Sequence, residues 1–203
     1  MSDLLDLGPA TRELARLVRA TRDDQLDGPT PCPSYRVSDL CDHVRGLVVA
    51  FTHAATREPL PGGPAGPVAD GTSLPPDWRE EVVASLDRLA AAWTDPAAHD
   101  GVTWAGPVEL PGPVAAQVAL DEVVVHGWDL AVATGQAYDA DPAAVATCLD
   151  FVTSFAPPEG GPADQPADEG GLFGPPVEVP AGASDLDRLV AAAGRRPDWT
   201  PGS

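Results

Sequence analysis

VALDEVVVHGWDLAVA, residues 118–133, is apolar enough to be buried on most of its sides, yet it carries Asp121, Glu122, His126 and Asp129. The apolar run, which extends back to residue 114, predicts a helix buried in a helical core. Burying an unpaired carboxylate or imidazolium costs roughly several kcal/mol. Something must therefore satisfy these groups. Glu122 and His126 are four residues apart and Asp129 lies three further on, so a helix projects all three from one side. Gly127, inside the same helix, costs about 1 kcal/mol relative to Ala, which points to a packing or access reason.

The same helical spacing recurs on either side. It predicts an amphipathic helix over 9–26 through Leu14, Leu17 and Val18. A second, over 37–51, carries the stripe Val37, Leu40, Cys41, Val44, Leu47, Val48 and Phe51. A third runs over 78–93, and a fifth over 141–155 with Pro142 in its first turn. The three prolines of residues 28–34 require an ordered turn, with Ser34 or Ser38 as candidate caps for the helix that follows. Residues 58–77 and 156–170 are Pro/Gly-rich and aperiodic, so they read as loop and linker. Residues 102–113, with Trp104 and short alternating apolar positions, read as a small extended loop or a hairpin and are assigned to loop; 172–180 read as extended, and a short helix follows over 184–193. The fold class is all-α, a four-helix bundle with long Pro/Gly-rich loops and a C-terminal extended segment plus short helix. The bundle is expected over 1–155, with 156–203 as linker and tail packing on it.

Composition removes several functions. All 12 basic residues are Arg against 31 Asp and Glu, for a net charge of −19. Without a lysine there is no Schiff-base, pyridoxal phosphate or P-loop chemistry. A strongly acidic surface repels phosphate backbones and anionic membranes, so neither is an expected partner. Cys32, Cys41 and Cys148 form no CxxC pair, which fits a reducing cytoplasm rather than a disulfide framework. No signal-like opening and no apolar run of membrane-spanning length is present. The all-Arg, Ala/Pro/Gly-rich usage matches a GC-rich bacterial genome.

His43 lies three residues after Leu40 and four before Leu47, at the inward flank of the second helix's stripe. With Glu122 and His126 it would form a His2Glu set for one divalent ion, leaving a position for water or substrate as in catalytic zinc sites. Nickel, iron and manganese suit the same ligands. The alternative is an ordinary i,i+4 pair between Glu122 and His126, with His43 as a satisfied core histidine.

TPCPSYRVSDLCDHV (30–44), DEVVVHGWDLAVATG (121–135), FGPPVEVP (173–180) and DRLVAAAGRRPDW (187–199) together resemble the mycothiol-dependent maleylpyruvate isomerase metal-binding-domain family. The chain is most similar to its short, mainly actinobacterial members, which are related to DinB-like four-helix proteins and bacillithiol transferases. The resemblance implies a DinB-like bundle holding a divalent metal, usually zinc, through His43, Glu122 and His126. It also implies a low-molecular-weight thiol such as mycothiol, bound to the metal as thiolate and attacking an electrophilic substrate. The pattern is not followed throughout. The isomerase has a further C-terminal domain that contributes a substrate-binding Arg, Tyr35 stands where the family usually has Trp, and the GGLFGPP segment lacks an expected Arg.

The expected function is therefore a metal-dependent, thiol-linked transferase or isomerase acting on a small electrophilic metabolite. The alternatives are a non-catalytic metal or small-ligand binding module and a biosynthetic accessory protein. The expected partner is a small-molecule substrate, and a homodimer is compatible with the sequence. Asp129 is a candidate acceptor orienting His126, equally readable as a cap or surface ion pair. Arg45 is a candidate for an anionic ligand. Cys32 is a candidate nucleophile near the site, but nothing pairs it with a base and it reads rather as a small packed hydrophobe; Cys41, Cys148 and Trp128 read as core, and His53 and His99 as surface or loop residues.

Overall fold

The computed structural model describes residues 4–60, 63, 69–154 and 174–202. Six α-helices and one small hairpin make up its regular structure, so the all-α expectation holds. Helix α1 (Gly8–Ala20) opens with Pro9 in its first turn and buries Leu14, Leu17 and Val18. It ends earlier than the periodicity suggests. Thr21 turns extended, its hydroxyl bonds back to the Leu17 carbonyl, and a short 3-10 turn, Asp23–Gln25, carries the remaining residues.

Helix α2 (Val37–Thr56) buries the whole stripe from Val37 to Phe51. Neither serine caps it. Asp39 accepts a hydrogen bond from the Arg36 N–H at 2.9 Å, satisfying one of the helix's free donors. Helix α3 (Trp78–Ala92) packs against both α1 and α2, and α4 (Gly112–Thr134) against the same two. The four helices thus close a ring in the order α1–α3–α2–α4, with α1 and α2 on one diagonal.

Helix α5 (Pro142–Ser154) lies on α4, with Asp141 accepting from the Ala144 N–H at its start. The short helix α6 (Asp185–Ala192), capped by Ser184, lies in turn on α5. The expected linker over 156–170, and the ends of its neighbours at 155 and 172, lie outside the described residues.

Residues 102–113, expected as loop, contain an antiparallel hairpin, β1 (Val102–Ala105) and β2 (Val108–Pro111). Tertiary contact sets this conformation, because buried Thr103 donates its hydroxyl to the Ala54 carbonyl of α2 at 2.5 Å. The loop after α2 is likewise anchored where it is described: Asp42 and Asp39 accept from the Asp70 and Gly71 N–H groups.

Helix α4 is the central element, buried on nearly every side from Ala115 to Ala131. A fully buried Val or Leu contributes roughly 1.5–3 kcal/mol. Only that apolar surplus allows one helix to carry Asp121, His126 and Asp129 into the core, with Glu122 at its edge. Gly127 is explained by packing: a Cβ there would lie 3.1 Å from the Tyr138 hydroxyl, which donates to the Val124 carbonyl at 2.8 Å. Among the described residues no helix is long and apolar enough to cross a membrane.

Candidate metal centre

The i,i+4 spacing on α4 brings Glu122 Oε2 to 3.0 Å from His126 Nε2, while α2 brings His43 Nε2 to 3.7 Å from the same oxygen. One ligand atom from each residue lies within 4.8 Å of the others. The two imidazoles meet edge to face, with ring centroids 4.9 Å apart. Tetrahedral ligation with bonds of about 2.0–2.1 Å puts donor atoms roughly 3.3 Å apart. The distances from Glu122 fall on either side of that value, and within the 4.8 Å span of the set the two imidazoles would draw together to hold a divalent ion.

His126 is fixed from behind. Its Nδ1 lies 3.0 Å from Asp129 Oδ2, which fits Nδ1–H donation and leaves Nε2 directed at Glu122. Asp129, fully buried, also accepts from Arg195: Nη2 to Oδ2 at 3.1 Å and Nε to Oδ1 at 3.4 Å. Burial alone would raise the Asp129 carboxyl, but His126 and Arg195 hold it below its ordinary value. Burial likewise opposes ionisation of Glu122, yet its contact with His126, more than the longer one to His43, lowers it. His126 moves up, because Asp129 and Glu122 outweigh the burial that disfavours imidazolium. An anionic face directed at imidazole nitrogens is what a cation requires.

Asp121, on the adjoining face of α4, is different. It is buried, its Oδ1 has no hydrogen-bond partner, and burial together with Glu122 raises it to about 7.

The turn before α2 forms a wall of the site. The buried Thr30 hydroxyl lies 2.9 and 2.8 Å from the carbonyls of Cys32 and Tyr35 and fixes the turn. The Tyr35 ring stands 5.4 Å from that of His43. Cys32 is half-buried and lies within electrostatic range of Arg195, Asp129 and Glu122; burial pushes its thiol up. Cys32 thus stands beside the cluster, whereas Cys41, Cys148 and Trp128 pack in the interior as expected.

Arg45 is not free for an anion: it pairs with Glu81 at 3.1 Å and Asp42 at 3.3 Å. His53 and His99 are not simple surface residues either. His53 Nδ1 is buried without a partner, and the half-buried His99 packs on Trp93, with Nε2 3.0 Å from the Trp93 carbonyl. Sequence reasoning missed Arg195 altogether, although the GRRPDW segment that carries it is conspicuous directly after a short helix.

A family model for the mycothiol maleylpyruvate isomerase N-terminal domain matches residues 7–131, which contain both α2 and most of α4. The chain belongs to this family. An uncharacterised protein found in two strains of Mycobacterium tuberculosis is 32% identical over 198 residues, covering 96% of this chain and 98% of that protein. Two solved structures of the mycothiol-dependent maleylpyruvate isomerase, one of them a mutant, share the fold, with TM-scores of 0.56 and 0.53 at 19% and 20% identity. Each alignment covers 71% of this chain and 65% of the isomerase chain. The helical bundle is therefore the DinB-like fold of the maleylpyruvate isomerase family.

Proposed function

We propose that this family member is a divalent-metal-dependent, thiol-linked transferase or isomerase acting on a small electrophilic metabolite, with the ion held by His43, Glu122 and His126. The observation that carries the reading is the convergence of three donor atoms from two helices within 4.8 Å. Family membership adds mycothiol as the thiol of choice. Zinc suits a His2Glu set, and such an ion would supply Lewis acidity, lowering the pKa of a thiol or polarising a carbonyl at its remaining position.

The chain's own groups prepare that position. Asp129 would accept a hydrogen bond from His126 Nδ1–H, so that with an ion bound Nε2 would present its lone pair to it. Glu122 contributes the compensating negative charge. His43 and Glu122 keep 25% and 31% of their side chains exposed, which leaves a route to the cluster from solvent. The acidic net charge favours a small-molecule partner over nucleic acid or an anionic membrane.

A non-catalytic metal or small-ligand binding module is the second reading. It is favoured by the internal pairing of Arg45 and Arg195, which leaves neither to anchor an anionic substrate.

Elemental analysis of the purified protein beside His126→Ala tests the site, and cobalt substitution tests the chemistry. The reading expects about one equivalent of metal in the wild type and little in the variant. It also expects a thiolate-to-cobalt charge-transfer band when mycothiol is added. A wild type that takes up no metal after zinc reconstitution overturns the reading. Metal uptake without any spectral response to thiols favours the binding module.

A further inference from the structure

Arg195 follows α6, beyond the stretch that the family model matches, and yet reaches the centre of the molecule. We infer that Arg195 is a positioning residue for the metal centre. It holds Asp129, Asp129 holds His126, and the C-terminal segment thereby completes the site. The inference rests on the proposed role of His126 as a ligand.

The guanidinium is committed to this task. Nε and Nη2 grip the two oxygens of Asp129, and Nη1 donates to the Ala193 carbonyl at 2.8 Å. Its side chain is 15% exposed. A fork used in this way is a fixed support rather than a hand extended to a substrate, and only Arg offers two parallel donors to one carboxylate. Asp129 in turn has no exposed surface. Without Arg195 it would be a buried carboxylate held by one imidazole, a situation that costs several kcal/mol, roughly, and is relieved when the carboxylate moves. Any such movement removes the acceptor that fixes the His126 ring.

The backbone around Arg195 is built to place it. The Arg195 N–H bonds the Val190 carbonyl at 2.8 Å, and the Val177 N–H bonds the Ala191 carbonyl at 2.9 Å. Gly194 has φ +85°, and a Cβ there would sit 2.9 Å from the Gly174 Cα. Two backbone segments thus meet where only glycine fits, and the next residue carries the guanidinium.

The test is a double-mutant cycle on zinc affinity, measured by competition with a chromophoric chelator, using full-length wild type, Arg195→Met, Asp129→Asn and the double variant. Loss of an outer partner of a ligating histidine typically lowers metal affinity about 10- to 100-fold. That loss is expected for R195M, with a smaller loss for R195K, which keeps the charge but not the fork. In the D129N background R195M should add less than about twofold, because the intermediary is already gone. The d–d bands of the cobalt-substituted R195M protein should also shift, a change that general destabilisation does not produce.

Unchanged zinc affinity in R195M overturns the inference, as does an equal loss in both backgrounds. Should R195M not fold, R195K and D129N carry the same comparison. A metal-free readout separates this inference from the proposed function: the exchange-protected Nδ1–H proton of His126, seen by NMR, should be present in the wild type and lost in the Arg195 variants. If the wild type binds no metal but shows that dependence, the metal reading falls and the relay stands. If the proton signal survives in the Arg195 variants, the relay falls.

Discussion

Asp121 and Asp129 stand eight positions apart on one helix, both buried, and behave oppositely because only one has partners. Asp129 has an imidazole and a guanidinium and stays ionised; Asp121 has an orphaned oxygen and rises from 3.8 to about 7. A carboxyl whose folded value lies above its unfolded one disfavours the native state as it ionises. Its cost is absent below the unfolded value and grows as pH rises towards the folded value. One unit is worth about 1.4 kcal/mol, so the full penalty above neutrality is on the order of a few kcal/mol. Asp121→Asn mimics the neutral acid and should remove it. Urea denaturation of the metal-free proteins should give similar stabilities near pH 4 and a more stable variant near pH 8. A difference that does not change with pH would show that Asp121 does not titrate in this range.

At the level of elements, α6 buries Leu189, Val190 and Ala191, and the turn that follows it depends on close backbone approach. Gly194→Ala imposes a left-handed conformation on an L side chain, roughly 1–2 kcal/mol, and drives its Cβ into the Gly174 backbone. The variant should lose hydrogen-exchange protection at the Val177 amide and weaken zinc binding in the same direction as R195M. Gly135→Ala is the control. Gly135 also has a positive φ, 68°, but nothing lies within 4 Å of its added Cβ, so it should cost only the conformational penalty, roughly 1–2 kcal/mol, and leave zinc affinity alone. The same contrast explains what the sequence disclosed. Helices α2 and α4 were legible because periodicity is a local signal, and α4 announced its site because charges stood where burial forbids unpaired ones. The hairpin showed only as an alternative to loop, since strands of four residues give a short alternation and Thr103 obeys a contact 49 positions away. Arg195 pairs with Asp129 across 66 residues, a relation that no spacing rule encodes. His43 could be placed on the inward flank of its helix as a candidate third ligand, and the family resemblance favoured its meeting with Glu122 over the satisfied-core alternative, because the ring order of the bundle is not written in any one segment.

For the molecule as a whole, a net charge of −19 confuses any experiment with cations, because a divalent ion will gather diffusely around such a surface and relieve its self-repulsion. The two modes differ in screening. Exposed charges separated by more than a Debye length, about 10 Å at 0.1 M salt, are largely screened, whereas a ligated ion is not. Stabilisation by a ligand that binds only the native state follows RT ln(1 + [L]/Kd), about 2.7 kcal/mol at a concentration of 100 Kd. For a chain of this size that corresponds to a rise in Tm of roughly 5–10 °C. In about 0.5 M sodium chloride, where diffuse association is suppressed, zinc should still raise the Tm of the wild type by this amount. Magnesium, a hard ion that prefers an oxygen octahedron, should not. His43→Ala should lie flat under the same conditions, since His43 is the only one of the three donors supplied by α2. A zinc shift that disappears with salt in the wild type, or persists undiminished in His43→Ala, would place the effect on the acidic surface and not between α2 and α4.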